Sequence, residues 1–211
     1  MNRCVIVSAG IINDYAFIKS LLKKDDFFIF CDGGLRHADF LGVKPDVMTG
    51  DFDSVSDEDY KRWSSQCRVI SLPREKDDTD TLAAVRFALS EGFDDFLLTG
   101  AMGFRFDHAF ANIGVLLYLD DLHKNALLAD DYSLMEIAGK NPVYIEENYS
   151  FFSVLTVDGN AGGVCIKNAK YPLENAVLKS SFQIGVSNEV LPGKTASVSA
   201  GQGRVLVVKV R

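Results

Sequence analysis

The chain has 211 residues, 47% hydrophobic and 24% charged, which excludes a disordered polymer and allows one large domain or two small ones. Its 29 acidic residues outweigh 22 basic ones, for a net charge of −7; with no basic block to meet a phosphate backbone, nucleic acid is not an expected partner. Cys4, Cys31, Cys67 and Cys165 never fall at CxxC spacing, which argues against zinc or a disulfide framework. No segment has the length and apolarity of a membrane span or a signal peptide, so no membrane partner is expected and a cytoplasmic setting is.

CVIVSAG reads as a buried strand, apolar and β-branched, closed by Gly10. DYAFIKSLLKK sets Phe17, Leu21 and Leu22 at helical spacing, with lysines in its last turn. FFIFCDGG is a second strand, ending in Asp32, Gly33 and Gly34. LRHADFLGVKPD reads as a short helix stopped near Gly42 and Pro45, and VMTGD as a strand-to-loop transition. The stretch GDFDSVSDED then gathers Asp51, Asp53, Asp57, Glu58 and Asp59. Such a knot of acids is either a solvated loop or a seat for something positive.

CRVISLP gives another strand. DTDTLAAVRFALSEG is a helix with Thr79 or Asp80 as N-cap and Gly92 as its stop. DFLLTGAMG runs from a strand into a glycine loop, and DHAFANIGVLLYL is the helix after it. This alternation predicts a mostly parallel, doubly wound sheet covered on both faces. Its ligand crevice is expected at the carboxyl ends of the strands, where residues 32–34, 50–53, 75–80 and 103–108 fall.

From Asn125 the rhythm changes. NALLADDYSLMEI, NPVYIEE, FFSVLTVDGNAGGVCI, FQIGVSNE, TASVSAGQG and RVLVVKV are short, alternating or β-branched, and separated by Gly, Asn and Pro. They predict an all-β sandwich or barrel, of which the sandwich is the expected form. The fold class is therefore α/β plus all-β, with residues 1–124 as the first domain and 125–211 as the second.

Asp51 and Asp53 lie two apart, so in an extended segment both carboxylates face one crevice. Two anions that close call for a shared cation, and Mg²⁺ takes oxygen ligands from one or two carboxylates plus substrate phosphates. A third carboxylate can come from EKDDTD, through Asp77 or Asp80, near the positive end of the helix that follows; the competing reading is that Asp80 or Thr79 only caps that helix. Arg105 and Asp107 precede the next helix. Arg105 offers a planar fork suited to phosphate oxygens, and the bland alternative is a surface ion pair. His108 fits a cap, a packing residue or a catalyst, while His37 and His123 carry no partner signal and read as structural. LPGKTA lacks the glycine and the strand–loop–helix setting of a P-loop, and SAGQGRVL fails the GxGxxG spacing.

In this order, CDGG, GVKPDVMTGDFDSV, PREKDDTD and GAMGFRFDHAFAN, followed by YPLENAVL and IGVSNEV, resemble the thiamine pyrophosphokinase family over almost the whole chain. Two departures are Gly103-Phe104-Arg105 in place of the usual Gly-Gly-Arg, and Asn168-Ala169 where Gly-Leu is common. The resemblance implies transfer of a pyrophosphoryl group from ATP to thiamine, giving thiamine diphosphate and AMP. It implies Asp51, Asp53 and Asp80 as Mg²⁺ ligands, with Asp77 in the same catalytic acid set. Asp32, Gly33, Gly34, Lys76, Arg105 and Asp107 match nucleotide and substrate contacts. Ser187 and Asn188 match the pair that reads the aminopyrimidine of thiamine, and Tyr171 the place of an aromatic packed on the ring. It also implies a homodimer whose active sites are shared between subunits. The alternatives are a non-catalytic thiamine- or nucleotide-binding regulator, and a diphosphotransferase acting on another primary alcohol.

Overall fold

In a computed structural model the described residues are 3–73, 78–103 and 105–211. The chain divides into two compact units, Met1–Asp131 and Tyr132–Arg211. Among the described residues no helix is long and apolar enough to cross a membrane.

The first unit is built on six parallel strands: β1 (Cys4–Val7), β2 (Phe27–Cys31), β3 (Val47–Gly50), β4 (Arg68–Ser71), β5 (Asp95–Thr99) and β6 (Asn125–Ala129). They lie in the order β6-β5-β1-β2-β3-β4. Val5, Ile6, Ile29, Phe30, Leu97 and Leu98 have no exposed surface, because consecutive residues on such strands are covered on both faces by helices. Those helices are α1 (Tyr15–Leu21), α2 (Ala38–Leu41), α3 (Asp57–Ser64), α4 (Asp80–Ser90) and α5 (Phe106–Asp121), with a 3-10 turn (Asp32–His37) directly before α2. From β1 the chain moves outward through β2 and β3 to β4, then returns to the other side of β1 for β5. Right-handed crossovers on either side of such a reversal place helices on opposite faces of the sheet. The reversal also opens a crevice beyond the carboxyl ends of β1 and β5.

Two local differences from the sequence reading have plain causes. The segment NALLA, read as part of the β-rich half, is β6, a parallel neighbour of β5 from Asp95↔Asn125 to Thr99↔Ala129. Five residues are too few for periodicity to separate a buried parallel strand from a sandwich strand. Asp57, Glu58 and Asp59 are the first turn of α3, whose N-cap Ser56 accepts the Asp59 N–H at 3.1 Å. A helix start favours negative charge, so these three acids are accounted for without a ligand, and the knot reduces to Asp51 and Asp53.

The second unit contains β7 (Ser133–Ala138), β8 (Val143–Ile145), β9 (Phe151–Leu155), β10 (Ala161–Lys167), β11 (Leu173–Leu178), β12 (Gly185–Asn188), β13 (Ala196–Ser199) and β14 (Val205–Val210). They form two antiparallel sets, β12-β9-β14-β7 and β11-β10-β13-β8. Alternate residues of the first set, Phe152, Val154, Val205 and Val207, share one buried core with Val164, Ile166, Ala196 and Val198 of the second. That is the expected sandwich, an inner face from each sheet.

Candidate active site

A cleft of about 640 Å³ lies at the reversal point between β1 and β5. Its walls come from residues 8–11 after β1, Cys31 and Asp32 at the end of β2, residues 78–81 at the start of α4, residues 100–103 after β5, and Arg105, His108 and Asn112 at the start of α5. Thr79 caps α4 by accepting the Leu82 N–H at 3.2 Å. The buried hydroxyls of Ser8 and Thr81 meet at 2.8 Å, and the Cys31 thiol donates to the Asp80 carbonyl at 3.7 Å. Burial pushes the Cys31 thiol up, so it is an S–H donor and not a thiolate. These contacts pin the start of α4 to the strand ends. With α5, two helix N-termini border one cleft, an arrangement that favours anions.

The loop after β1 is held from its other side. Arg36 donates to the Ala9 carbonyl, and His37 Nε2 lies 2.8 Å from the Gly10 carbonyl. A carbonyl only accepts, so Nε2 carries the proton, and Nδ1 accepts from the Tyr15 hydroxyl at 2.7 Å. Burial lowers the His37 pKa, with the Gly10 carbonyl acting in the opposite direction. His37, without a visible partner in the sequence, thus ties a cleft loop to α1. Asn112, one turn after His108, donates to the Ala101 carbonyl at 2.6 Å and does the same for the loop after β5.

Asp32, Asp51 and Asp53 each bring a carboxylate oxygen within 4.8 Å of the other two. The mechanism of convergence differs from the extended segment expected. Phe52 is left-handed (φ 59°), and its ring packs edge-on against Tyr60 at 5.2 Å, so the chain turns about Phe52. The Asp53 N–H donates to Asp51 Oδ1 at 3.3 Å. Gly50, at φ 150°, admits the third acid: a Cβ there would lie 2.9 Å from the Cβ of Asp32.

Asp32 is 9% exposed and left-handed (φ 44°). Its Oδ2 accepts from the Ser54 hydroxyl; among the described residues its Oδ1 has no hydrogen-bond partner. A buried carboxylate oxygen is costly unless it meets a donor or a cation, and at an effective dielectric of about 20 two charges this close repel by roughly 3 kcal/mol. Three hard oxygen donors fit a divalent ion such as Mg²⁺. Asp32 also lines the cleft, so it joins the acid cluster to that space. Asp80 stands in the first turn of α4 at the cleft wall.

Arg105 lines the cleft and donates from Nε and Nη2 to Asp107 at 3.2 and 2.6 Å. Both side chains are exposed, and the guanidinium holds the Asp107 carboxyl below the usual range. Gly33 and Gly34 are buried in the 3-10 turn. Lys76, Asp77 and Phe104 lie outside the described residues.

In the second unit Asn188 is 3% exposed. Its Oδ1 accepts from the N–H groups of Tyr171 (3.0 Å) and Glu189 (2.9 Å), and its Nδ2 donates to the Tyr171 carbonyl at 2.8 Å. The amide is engaged with backbone and fixes Tyr171, whose ring is exposed. Ser187 is exposed and left-handed (φ 57°), its N–H donating to Ser153 Oγ at 3.1 Å. Ser8, Arg36, Ser54, Thr81 and Asn112 also shape the site. Of these, only Asn112 carried a signal in the sequence, its four-residue spacing from His108, which shares a helix face.

Two family models match the chain. Thiamin pyrophosphokinase, catalytic domain, matches residues 18–128, and Thiamin pyrophosphokinase, vitamin B1 binding domain, matches residues 142–205. The thiamine pyrophosphokinase of Bacillus subtilis (strain 168) is 24% identical over 212 residues, covering 99% of each chain. Thiamine pyrophosphokinase 2 of Oryza sativa subsp. japonica is 29% identical over 157 residues, 69% of this chain and 58% of the relative. In fold, the chain resembles the crystal structures of the thiamine pyrophosphokinase from B. subtilis (TM-score 0.88, 22% identity, 99% of each chain) and of that from Geobacillus thermodenitrificans (TM-score 0.85, 24% identity, 99% and 97%). The class is thus that of a transferase of the kinase type. The catalytic-domain model spans more than half of the sequence, and the chain belongs to the thiamin pyrophosphokinase family.

Proposed function

We propose that this enzyme transfers the terminal diphosphoryl group of ATP to the hydroxyethyl oxygen of thiamine, giving thiamine diphosphate and AMP. The observation that carries the reading is the buried Asp32 oxygen, without a hydrogen-bond partner among the described residues, beside Asp51 and Asp53 at the edge of a cleft bordered by two helix N-termini.

In this reading Asp32, Asp51 and Asp53 would hold Mg²⁺, and Asp80, in the first turn of α4 at the cleft wall and outside that three-acid group, would be a further oxygen donor. Bound there, the ion offsets triphosphate charge and polarises the phosphoryl oxygens. The chain supplies position and fixed dipoles. The 3-10 turn at Gly33 and Gly34 and the starts of α4 and α5 present backbone N–H groups to phosphate. Arg105 exchanges Asp107 for a phosphate oxygen at little cost, because an exposed ion pair is weak. Lys76 and Asp77 keep the nucleotide-contact and acid roles that the resemblance gives them. The thiamine oxygen attacks the β-phosphorus. A bond forms to phosphorus as the bridge to the α-phosphate breaks at the β-phosphorus, and AMP leaves with the bridging oxygen. The hydroxyl proton passes to solvent.

Thiamine is met by Tyr171 and Ser187, with Asn188 holding Tyr171 in place. The working unit is proposed as a cytoplasmic homodimer in which the β unit of one subunit completes the site of the other. The exposure of Phe182, Ile184 and Val186 on the β unit supports a partner surface there.

The test is to incubate the protein with ATP, Mg²⁺ and thiamine, or a pterin-like primary alcohol in its place. AMP and thiamine diphosphate in equal amounts are expected with thiamine alone. AMP formed only with the other alcohol moves the substrate, and tight binding of ATP and thiamine without AMP makes the protein a regulator.

A further inference from the structure

We propose that Ser54 is a positioning residue, holding Asp32 in the one orientation that leaves its second carboxylate oxygen free for a divalent cation. This rests on reading the acid cluster as a cation seat.

Two observations converge. The Ser54 hydroxyl donates to Asp32 Oδ2, while Oδ1 of the same carboxylate is buried and has no partner among the described residues. The two oxygens of a carboxylate exchange by rotation about one soft torsion, so a single donor on one of them decides where the other points. A hydroxyl is a neutral donor and orients Asp32 without cancelling its charge. A Lys or Arg in that place would compete with the cation.

Ser54 belongs to the same turn as Asp51 and Asp53, so one short loop provides two carboxylates and the group that aims the third. Its side chain is exposed, so removing the hydroxyl deletes a hydrogen bond and no core packing. Space for the hydroxyl is itself provided: a Cβ on Gly33 would lie 2.9 Å from Ser54 Oγ, while its next neighbour, the Ala9 Cβ, stands at an ordinary 3.5 Å. Gly33→Ala therefore displaces the hydroxyl by a second route.

The test is titration of the full chain with Mn²⁺ alone, followed by electron paramagnetic resonance, for wild type, Asp51→Asn, Ser54→Ala, Ser54→Thr and Gly33→Ala. Asp51→Asn should lose most binding. Ser54→Ala should weaken Mn²⁺ by about 10- to 100-fold, the range for groups that orient a metal ligand, with an unchanged Tm. Ser54→Thr should restore wild-type affinity, Gly33→Ala should weaken Mn²⁺ as Ser54→Ala does, and a further variant carrying both changes should bind no worse than Ser54→Ala, since both remove one interaction. Wild-type affinity in Ser54→Ala alongside loss in Asp51→Asn would overturn the role of Ser54 and leave the cation seat standing. Unchanged binding in both variants, or no Mn²⁺ binding by the wild type, would overturn both.

Discussion

At Asp32, Phe52 and Ser187 the backbone is left-handed, a conformation that costs a non-glycine residue roughly 1–2 kcal/mol, and all three stand in the motifs that suggested function. Such strain persists only where the surroundings enforce it; at Phe52 its product is the convergence of two carboxylates. Asp51→Asn or Asp53→Asn is expected to lower kcat at least about 100-fold, since a metal site supplies several kcal/mol of charge stabilisation, while thermal unfolding is unchanged. Near-normal rates at ordinary Mg²⁺ would remove either residue from the ligand set. Asp51 and Asp53 were legible because their spacing is local. The place of Asp32 was not, because it depends on strand pairing: the register Cys31↔Thr49 brings the end of β2 beside the turn after β3. His37 gives a pH prediction. Its pKa is lowered in the fold, so from about pH 6.5 downward the unfolded chain takes up the proton first and stability falls until the folded group titrates as well. Between pH 7 and pH 5.5 the wild-type Tm should therefore drop more than that of His37→Gln. Parallel curves would show that burial of this ring does not couple to folding.

Among the elements, α4 and the parallel strands were readable from apolar runs and a capping threonine, whereas α3 was hidden behind its own acids. A run of Asp, Glu and Asp looks like a ligand cluster or a loop until Ser56 is recognised as its cap. In the β unit, the sequence pointed to Asn188 as a reader of substrate. Its amide bridges β12 and the backbone at Tyr171, a tertiary contact with no local signature. Asn188→Ala removes three hydrogen bonds from a buried site and should destabilise the β unit by roughly 1–3 kcal/mol. It should also raise the KM for thiamine, through a mobile Tyr171, and leave that for ATP unchanged. Thermal unfolding and initial rates together check this; an effect on ATP alone would move Tyr171 out of the thiamine pocket.

For the whole molecule, the change of rhythm near residue 125 made the two-part build visible, and the boundary shifted because β6 continues the parallel ladder. Assembly is tested by mixing. Asp51→Asn and Asn188→Ala proteins, each weak at low thiamine, should regain activity when unfolded and refolded together, because a two-fold dimer then carries one site with both defects and one with neither. No recovery despite proven subunit exchange would rule out shared sites. Catalysis as proposed transfers two phosphoryl groups in one step from a nucleotide held at the acid cluster. The most direct measurement follows ATP labelled with ³²P at the β or the γ position, in separate reactions with thiamine and Mg²⁺. Both labels should appear in thiamine diphosphate, in equal yield, with AMP unlabelled. Transfer of the γ label alone, with ADP as the second product, would contradict it.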